Sequence, residues 1–234
     1  MAAALAYRYL PVDADRRDAW PGDTFWAPLR DAPLRAGLVM SVLVSAVIMA
    51  TFVVGPFYLS RGLGLDPAWM GLAMAVGPTV AAVTGVPAGY LTDRLGSQRL
   101  TFVGLSVMLC GALLLSQASG LGVYLAALIV LTAGYSLFQA ANNTAVMSDI
   151  QATRRGTVSG LLNLSRNLGL IFGASALGAV FARATPDVSH AAPQAVAAGL
   201  HATFAMAVGL ILLAILVKVL VWRDQGAKHS AFKN

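Results

Sequence analysis

Gly89-Tyr-Leu-Thr-Asp93-Arg94-Leu-Gly96-Ser-Gln-Arg99-Leu100 is a short polar stretch between two apolar runs, Ala68 to Leu91 and Leu100 to Gln117, neither of which contains a charged residue. A hydrocarbon core about 30 Å thick is crossed by about 20 apolar helical residues, so each run is of spanning length. The stretch therefore reads as a tight reversal that sends the chain back through a bilayer. Its residue types fit that task. Gly96 permits the positive backbone angles of a sharp turn, Gly89 removes the side chain that would hold two helices apart, and Asp93 can accept hydrogen bonds from the exposed amides of a helix N-terminus. Arg94 and Arg99 hold the reversal at one membrane face.

Four more windows of spanning length flank this pair: Ala36 to Tyr58 before it, and Leu121 to Met147, Thr157 to Phe181 and Ala198 to Trp222 after it. Backbone groups in lipid must be satisfied within their own segment, and no run shows the ten-residue alternation of a barrel strand, so all six are predicted helices. The expected fold is an all-α membrane protein of six transmembrane helices. Residues 1-35 are expected to form a cytoplasmic tail or loop, residues 36-222 the bundle and residues 223-234 a second cytoplasmic tail. The first 35 residues carry five Arg, five Asp and four Pro, a composition that does not build its own core.

Composition supports lipid as the main solvent. The chain is 58% hydrophobic and 11% charged, against about 25% charged in soluble domains. Its net charge of +6 comes with no basic cluster interleaved with aromatics, which argues against nucleic acid. The basic residues sort instead by membrane side. Thirteen (Arg8, Arg16, Arg17, Arg30, Arg35, Arg94, Arg99, Arg154, Arg155, Lys218, Arg223, Lys228 and Lys233) fall on the side of the two termini, and two (Arg61 and Arg183) on the other. The positive-inside rule then places both termini in the cytoplasm, in a plasma (inner) membrane. Cys110 is the single cysteine and reads as a small core residue. His190, His201 and His229 lack ligand spacing and read as loop or helix-end residues, so no metal site and no cofactor are expected.

The reversal resembles the loop signature of the major facilitator superfamily: a Gly, then Asp-Arg, then Gly and basic residues, between the second and third helix of each six-helix half. Ser97 and Gln98 stand where that family often has basic residues. Two further stretches resemble drug-efflux members of the family: Gln139-Ala-Ala-Asn-Asn-Thr144-Ala-Val-Met147 late in the fourth span, and Gly156-Thr-Val-Ser-Gly160-Leu-Leu-Asn-Leu-Ser-Arg166-Asn-Leu-Gly169 opening the fifth. Their order is that of the C-terminal half, and Arg8-Tyr-Leu-Pro11 resembles the central loop between halves. The resemblance implies one half of a 3+3 inverted-repeat fold, with Met1 to Ala6 as the end of a preceding helix. It also implies either a truncated reading frame, the favoured expectation, or a half-length transporter that pairs with another six-helix chain or a second copy.

Polar residues inside the spans mark the expected pathway. The third and sixth spans are nearly all apolar and are expected to face lipid. The fourth carries Thr132, Tyr135, Ser136, Gln139, Asn142 and Asn143 at three- and four-residue steps, and the fifth carries Ser159, Asn163, Arg166 and Asn167. Arg166 lies nine residues after Thr157, about 14 Å along a helix rising about 1.5 Å per residue, close to the bilayer centre. An Arg there costs at least about 2.5 to 3.5 kcal/mol on insertion scales, so it is expected to face a watery cavity or a polar partner. Arg166, Asn163, Asn167, Gln139, Asn142, Asn143 and Tyr135 form the predicted substrate cavity. The reversal, through Gly89, Asp93, Arg94, Gly96 and Arg99, forms a predicted gating loop.

Paired intramembrane Asp residues, a Ser with a buried His, and a phosphate-cradling loop are all missing from the sequence, which argues against an enzyme and against ATP-driven transport by this chain. No Asp lies within a predicted span, so a proton-carrying carboxylate would have to come from another half. The expectation is secondary transport of a small molecule, a proton-coupled export of drug-like compounds or metabolites by resemblance. The alternative is a six-helix accessory protein or remnant without transport of its own.

Overall fold

Helices begin in this chain where the sequence satisfies or dispenses with the orphan amides of a helix N-terminus. In the computed structural model, which describes residues 31–148, 150–185 and 191–231 with side chains as far as 223, Asp66 caps the helix Pro67–Leu95. Its carboxylate accepts from the amides of Ala68 at 2.9 Å and Trp69 at 3.0 Å. Pro67, which has no N–H to leave unsatisfied, takes the first position. Pro33 plays a similar part in the first turn of the helix that starts at Ala32. The turns before Ser97 and Leu121 use Gly96 at φ 85° and Gly120 at φ 95°, a region that side chains rarely enter. Gly96 thus acts as the reversal residue that its sequence context predicts.

The result is six spans: α1 (Ala32–Gly62), α2 (Pro67–Leu95), α3 (Ser97–Leu115), α4 (Leu121–Met147), α5 (Ala152–Ala184) and α6 (Pro193–Arg223), the last on a helix that runs on to Ala231. They match the six predicted windows, and no strand forms among the described residues. Residues 1–30, Asp149, His190 and the side chains of Lys228, His229 and Lys233 lie outside the described residues. The tail, central-loop and preceding-helix readings therefore have no structural counterpart here. α1 and α5 each relax into a π turn, Tyr58–Gly62 after Pro56 and Gly173–Leu177 in mid-span. Ser60 Oγ donates to the Pro56 carbonyl at 2.7 Å, and Ser175 Oγ to the Ile171 carbonyl at 2.9 Å. Hydroxyls thus satisfy carbonyls where the helix ladder is disturbed.

α1 is the central helix, with 72% of its most apolar window buried, whereas α2 has only 11% buried and is the outermost. That order differs from the expectation that α3 would face lipid. Glycines explain it. A Cβ added to Gly111 would stand 2.5 Å from the Leu131 amide nitrogen, one on Gly104 2.5 Å from that of Phe138, and one on Gly134 2.5 Å from that of Met108. Contacts that short allow the backbones of α3 and α4 to touch and bury one face of α3. Its other face is exposed and carries Cys110, which is therefore not the core residue that its apolar setting indicated.

Gly169 and Gly173 make the second seam. Added Cβ atoms there would stand 2.3 Å from the carbonyl oxygens of Val42 and Ala46, so α5 lies directly on α1. Gly156 and Gly160, at the same four-residue spacing, have nothing within 4 Å of an added Cβ among the described residues, and the same holds for Gly89, so none of these three brings described helices close together. At the membrane end opposite the Gly89 to Leu100 reversal, Tyr58 Oη donates to the Ala118 carbonyl at 3.2 Å and accepts from the Gly120 amide at 3.2 Å. His201, on α6, joins the same carbonyl through Nε2 at 3.0 Å. A carbonyl only accepts, so this ring carries its hydrogen on Nε2. His201 is a clamp between helices within a span, not the loop or helix-end residue expected.

Gly173→Val places a side chain against backbone that cannot yield, and should lower the melting point of the purified protein in detergent by the equivalent of about 1–3 kcal/mol. Gly160→Ala, in open space, should leave it unchanged or raise it by up to about 1 kcal/mol. Equal melting points for the two variants would contradict the α1–α5 seam.

Candidate functional site

α5 carries its polar residues on the flank turned toward α4. Arg166 stands fourteen residues from one end of its span and eighteen from the other, so its Cα is near the middle. Side chains of a helix lean toward its N-terminus, so the guanidinium descends toward Asn163, one turn below, and toward the last turns of α4. There Nη1 donates to Asn163 Oδ1 at 3.4 Å, and Nη2 to Gln139 Oε1 at 3.2 Å and Asn143 Oδ1 at 3.5 Å. Gln139 Nε2 in turn donates to Tyr135 Oη at 2.8 Å. Nε is buried and has no partner among the described residues. Five of the seven predicted cavity residues, Arg166, Asn163, Gln139, Asn143 and Tyr135, therefore form one connected group.

The other two are not in it. Asn167 is exposed and turns its amide back onto the Asn163 carbonyl of its own helix at 3.0 Å. Asn142 occupies the next position around α4 after Ala141, about 100° away from its neighbours, and enters the α1 interface. It is 1% exposed and donates to the Gly37 carbonyl at 3.1 Å and Ser41 Oγ at 3.0 Å. Its three-residue spacing from Gln139 marks a polar flank broader than the cavity, and only the location of α1 separates the two roles.

The reversal between α2 and α3 is organised more simply than its motif indicates. Arg94 lies over the Tyr90 ring, 4.6 Å from its centroid. Asp93 and Arg99 are exposed, and the helix that follows Gly96 has no side-chain cap, so Asp93 does not cap it. Gln98, where the family pattern has a basic residue, accepts a hydrogen bond from Lys218 Nζ of α6. Gly37, Gln98, Asn142 and Lys218 line a cavity of about 30 Å³ at this end of the bundle, room for a water or two rather than an organic molecule. Neither Gln98 nor Lys218 was legible as a pair, since 120 residues separate them.

These features define a polytopic helical membrane protein with a cationic, amide-lined group at mid-membrane. The chain matches the family model described as Major Facilitator Superfamily over residues 1–174. It belongs to the major facilitator superfamily, and its six helices are one half of that fold. It is 34% identical to the uncharacterized transporter YebQ of Escherichia coli (strain K12) over 130 residues, which cover 54% of this chain and 28% of that protein. The tetracenomycin C resistance and export protein of Streptomyces glaucescens is 26% identical over 166 residues, 69% of this chain and 31% of its own length. The multidrug resistance protein Stp of Mycobacterium tuberculosis (strain H37Rv) is 27% identical over 127 residues, 53% and 24% respectively. The chain thus aligns with about a quarter to a third of each of these relatives.

Asn142→Ala should lower the melting point by the equivalent of about 0.6 to 1.7 kcal/mol, the span measured for interhelical hydrogen bonds in membranes, whereas Asn167→Ala should not move it. Parallel thermal scans in one detergent check both. An unaffected Asn142 variant would contradict the clamp.

Proposed function

We propose that this chain forms one six-helix wall of a secondary transporter that exports small drug-like or metabolite molecules, with Arg166, Gln139, Asn143, Asn163 and Tyr135 at the substrate path. The observation that carries the reading is a guanidinium near the middle of a span, held only by neutral amides and reaching a partly exposed flank of the bundle. A charge at that depth belongs beside a water-filled cavity. In transporters built from repeated bundles, substrate sites lie near the midplane between two such units, which rock about them. The names of two relatives, a tetracenomycin C resistance and export protein and a multidrug resistance protein, point to export and to organic substrates.

On this reading the opposite wall is a second six-helix unit, either an N-terminal half or another copy. Proton coupling, if it drives transport, uses a carboxylate of that wall, because the one Asp inside the described spans, Asp93, stands exposed in the last turn of α2 and Glu does not occur in the chain. The excess of basic residues on the side of the termini supports a cytoplasmic location for both ends, in a plasma (inner) membrane. The Asp93 to Arg99 reversal then faces the cytoplasm as a gating loop.

Proteoliposomes containing the protein, under an imposed proton gradient, should move part of a panel of efflux dyes. Arg166→Ala should reduce the initial rate at least about tenfold, the equivalent of losing one charged hydrogen bond of about 1.5–3 kcal/mol. An unchanged rate at equal amounts of folded protein would remove Arg166 from the path. A six-helix accessory protein would move no dye at all.

A further inference from the structure

The amide groups around Arg166 are all turned the same way, and that orientation determines what the site can receive. A guanidinium offers five N–H donors and no acceptor, so Gln139, Asn143 and Asn163 each aim an oxygen at it. One lone pair of each oxygen is thereby taken, and their NH₂ groups point away from the guanidinium. That of Gln139 donates to Tyr135 Oη, which leaves the Tyr135 hydroxyl hydrogen free to donate in turn. The NH₂ groups of Asn143 and Asn163 have no acceptor among the described residues. The polar hydrogens left unused by the group are therefore numerous, and they surround a cation.

The charge is equally one-sided. The three bonds to Arg166 measure 3.2 to 3.5 Å, longer than the about 2.7–2.9 Å of charge-assisted pairs. At most three of its five N–H groups are used, and Nε has no partner among the described residues. Among the described side chains no carboxylate reaches it: Asp31, Asp66 and Asp93 stand at helix ends. Dipoles solvate this cation without neutralising it.

We infer that the site selects substrates carrying an oxyanion, such as a carboxylate, phenolate or enolate, over organic cations. The inference rests on the reading of this group as the substrate path and specifies the chemistry of its occupant. An oxyanion takes the unused guanidinium donors, and its second lone pairs are met by the amide and tyrosine donors around the rim. An organic cation meets a like charge, and the lone pairs it could use already face the guanidinium.

The test uses two xanthene dyes of similar size and opposite charge, fluorescein as the anion and rhodamine 123 as the cation, at pH 8. Binding to the purified protein in nanodiscs is followed by fluorescence anisotropy, with empty nanodiscs subtracted. Fluorescein should bind saturably and at least about tenfold more tightly than rhodamine 123, and Arg166→Gln should abolish that preference. Tyr135→Phe, which leaves the cation in place and removes one rim donor, should weaken fluorescein by about threefold to tenfold and leave rhodamine 123 unchanged. That variant decides the matter if Arg166→Gln does not fold. Equal affinity for the two dyes, a preference for rhodamine 123, or no saturable fluorescein binding overturns the inference. The transport reading fails separately: its failure would be fluorescein binding with this selectivity but no movement of the dye in proteoliposomes.

Discussion

Apolar side chains surrounded by lipid gain little from moving onto another helix, so a bundle in a membrane holds together only where backbones come close enough to pack and where polar groups find partners. In this protein the first condition is met at two seams. Gly104, Gly111 and Gly134 bring α3 onto α4, and Gly169 and Gly173 bring α5 onto α1. Among the polar contacts that meet the second, Asn142 ties α4 to α1, Tyr58 and His201 tie α1 and α6 to the Ala118 to Gly120 turn, and Arg166 ties α5 to α4. The first two ties are satisfied and buried. The third is not.

On the proposed reading, that difference separates scaffold from site. Two interhelical bonds, to Gln139 and Asn143, at the membrane average of about 0.6 kcal/mol each return roughly 1 kcal/mol, against an insertion cost for Arg of at least about 2.5–3.5 kcal/mol. The shortfall of about 1–2 kcal/mol, with a buried Nε that has no partner among the described residues, leaves this charge incompletely compensated within the bundle. Asn142 shows the contrast, since both its donors are used within the bundle. The α1–α5 seam fixes where the Arg166 side chain falls, because it sets the rotation of α5 about its own axis. A rigid seam behind a loosely held cation is a reasonable arrangement for a binding group on a moving wall.

Span number, helix type and the Gly96 turn were all legible in the sequence, because crossing length, backbone satisfaction and positive φ are local requirements. Which helix stands inside was not. In a soluble bundle an apolar stripe marks the core, but here lipid and core favour the same side chains, so the apolar α3 looked peripheral and α2 did not. The same limit hid the destination of Cys110 and the division of the α4 polar residues. Gln139, Asn143 and Asn142 share a flank within about one turn, and only the position of α1 sends Asn142 inward. Small residues show the same limit: Gly169/Gly173 and Gly156/Gly160 have identical four-residue spacing, yet only the first pair lies on the seam, and the second has nothing within 4 Å among the described residues. Arg166 was legible because no arrangement of six helices makes a mid-span charge unimportant.

The central claim is that the Arg166 group faces water rather than lipid. Its most direct test is thiol accessibility, because only a thiolate in water reacts rapidly with a charged thiosulfonate. With Cys110 replaced by Ser, Asn163→Cys in membrane vesicles should be modified by a membrane-impermeant methanethiosulfonate at least about tenfold faster than Leu113→Cys on the exposed face of α3. Equal, slow modification of both positions would place Asn163 against lipid and contradict the account.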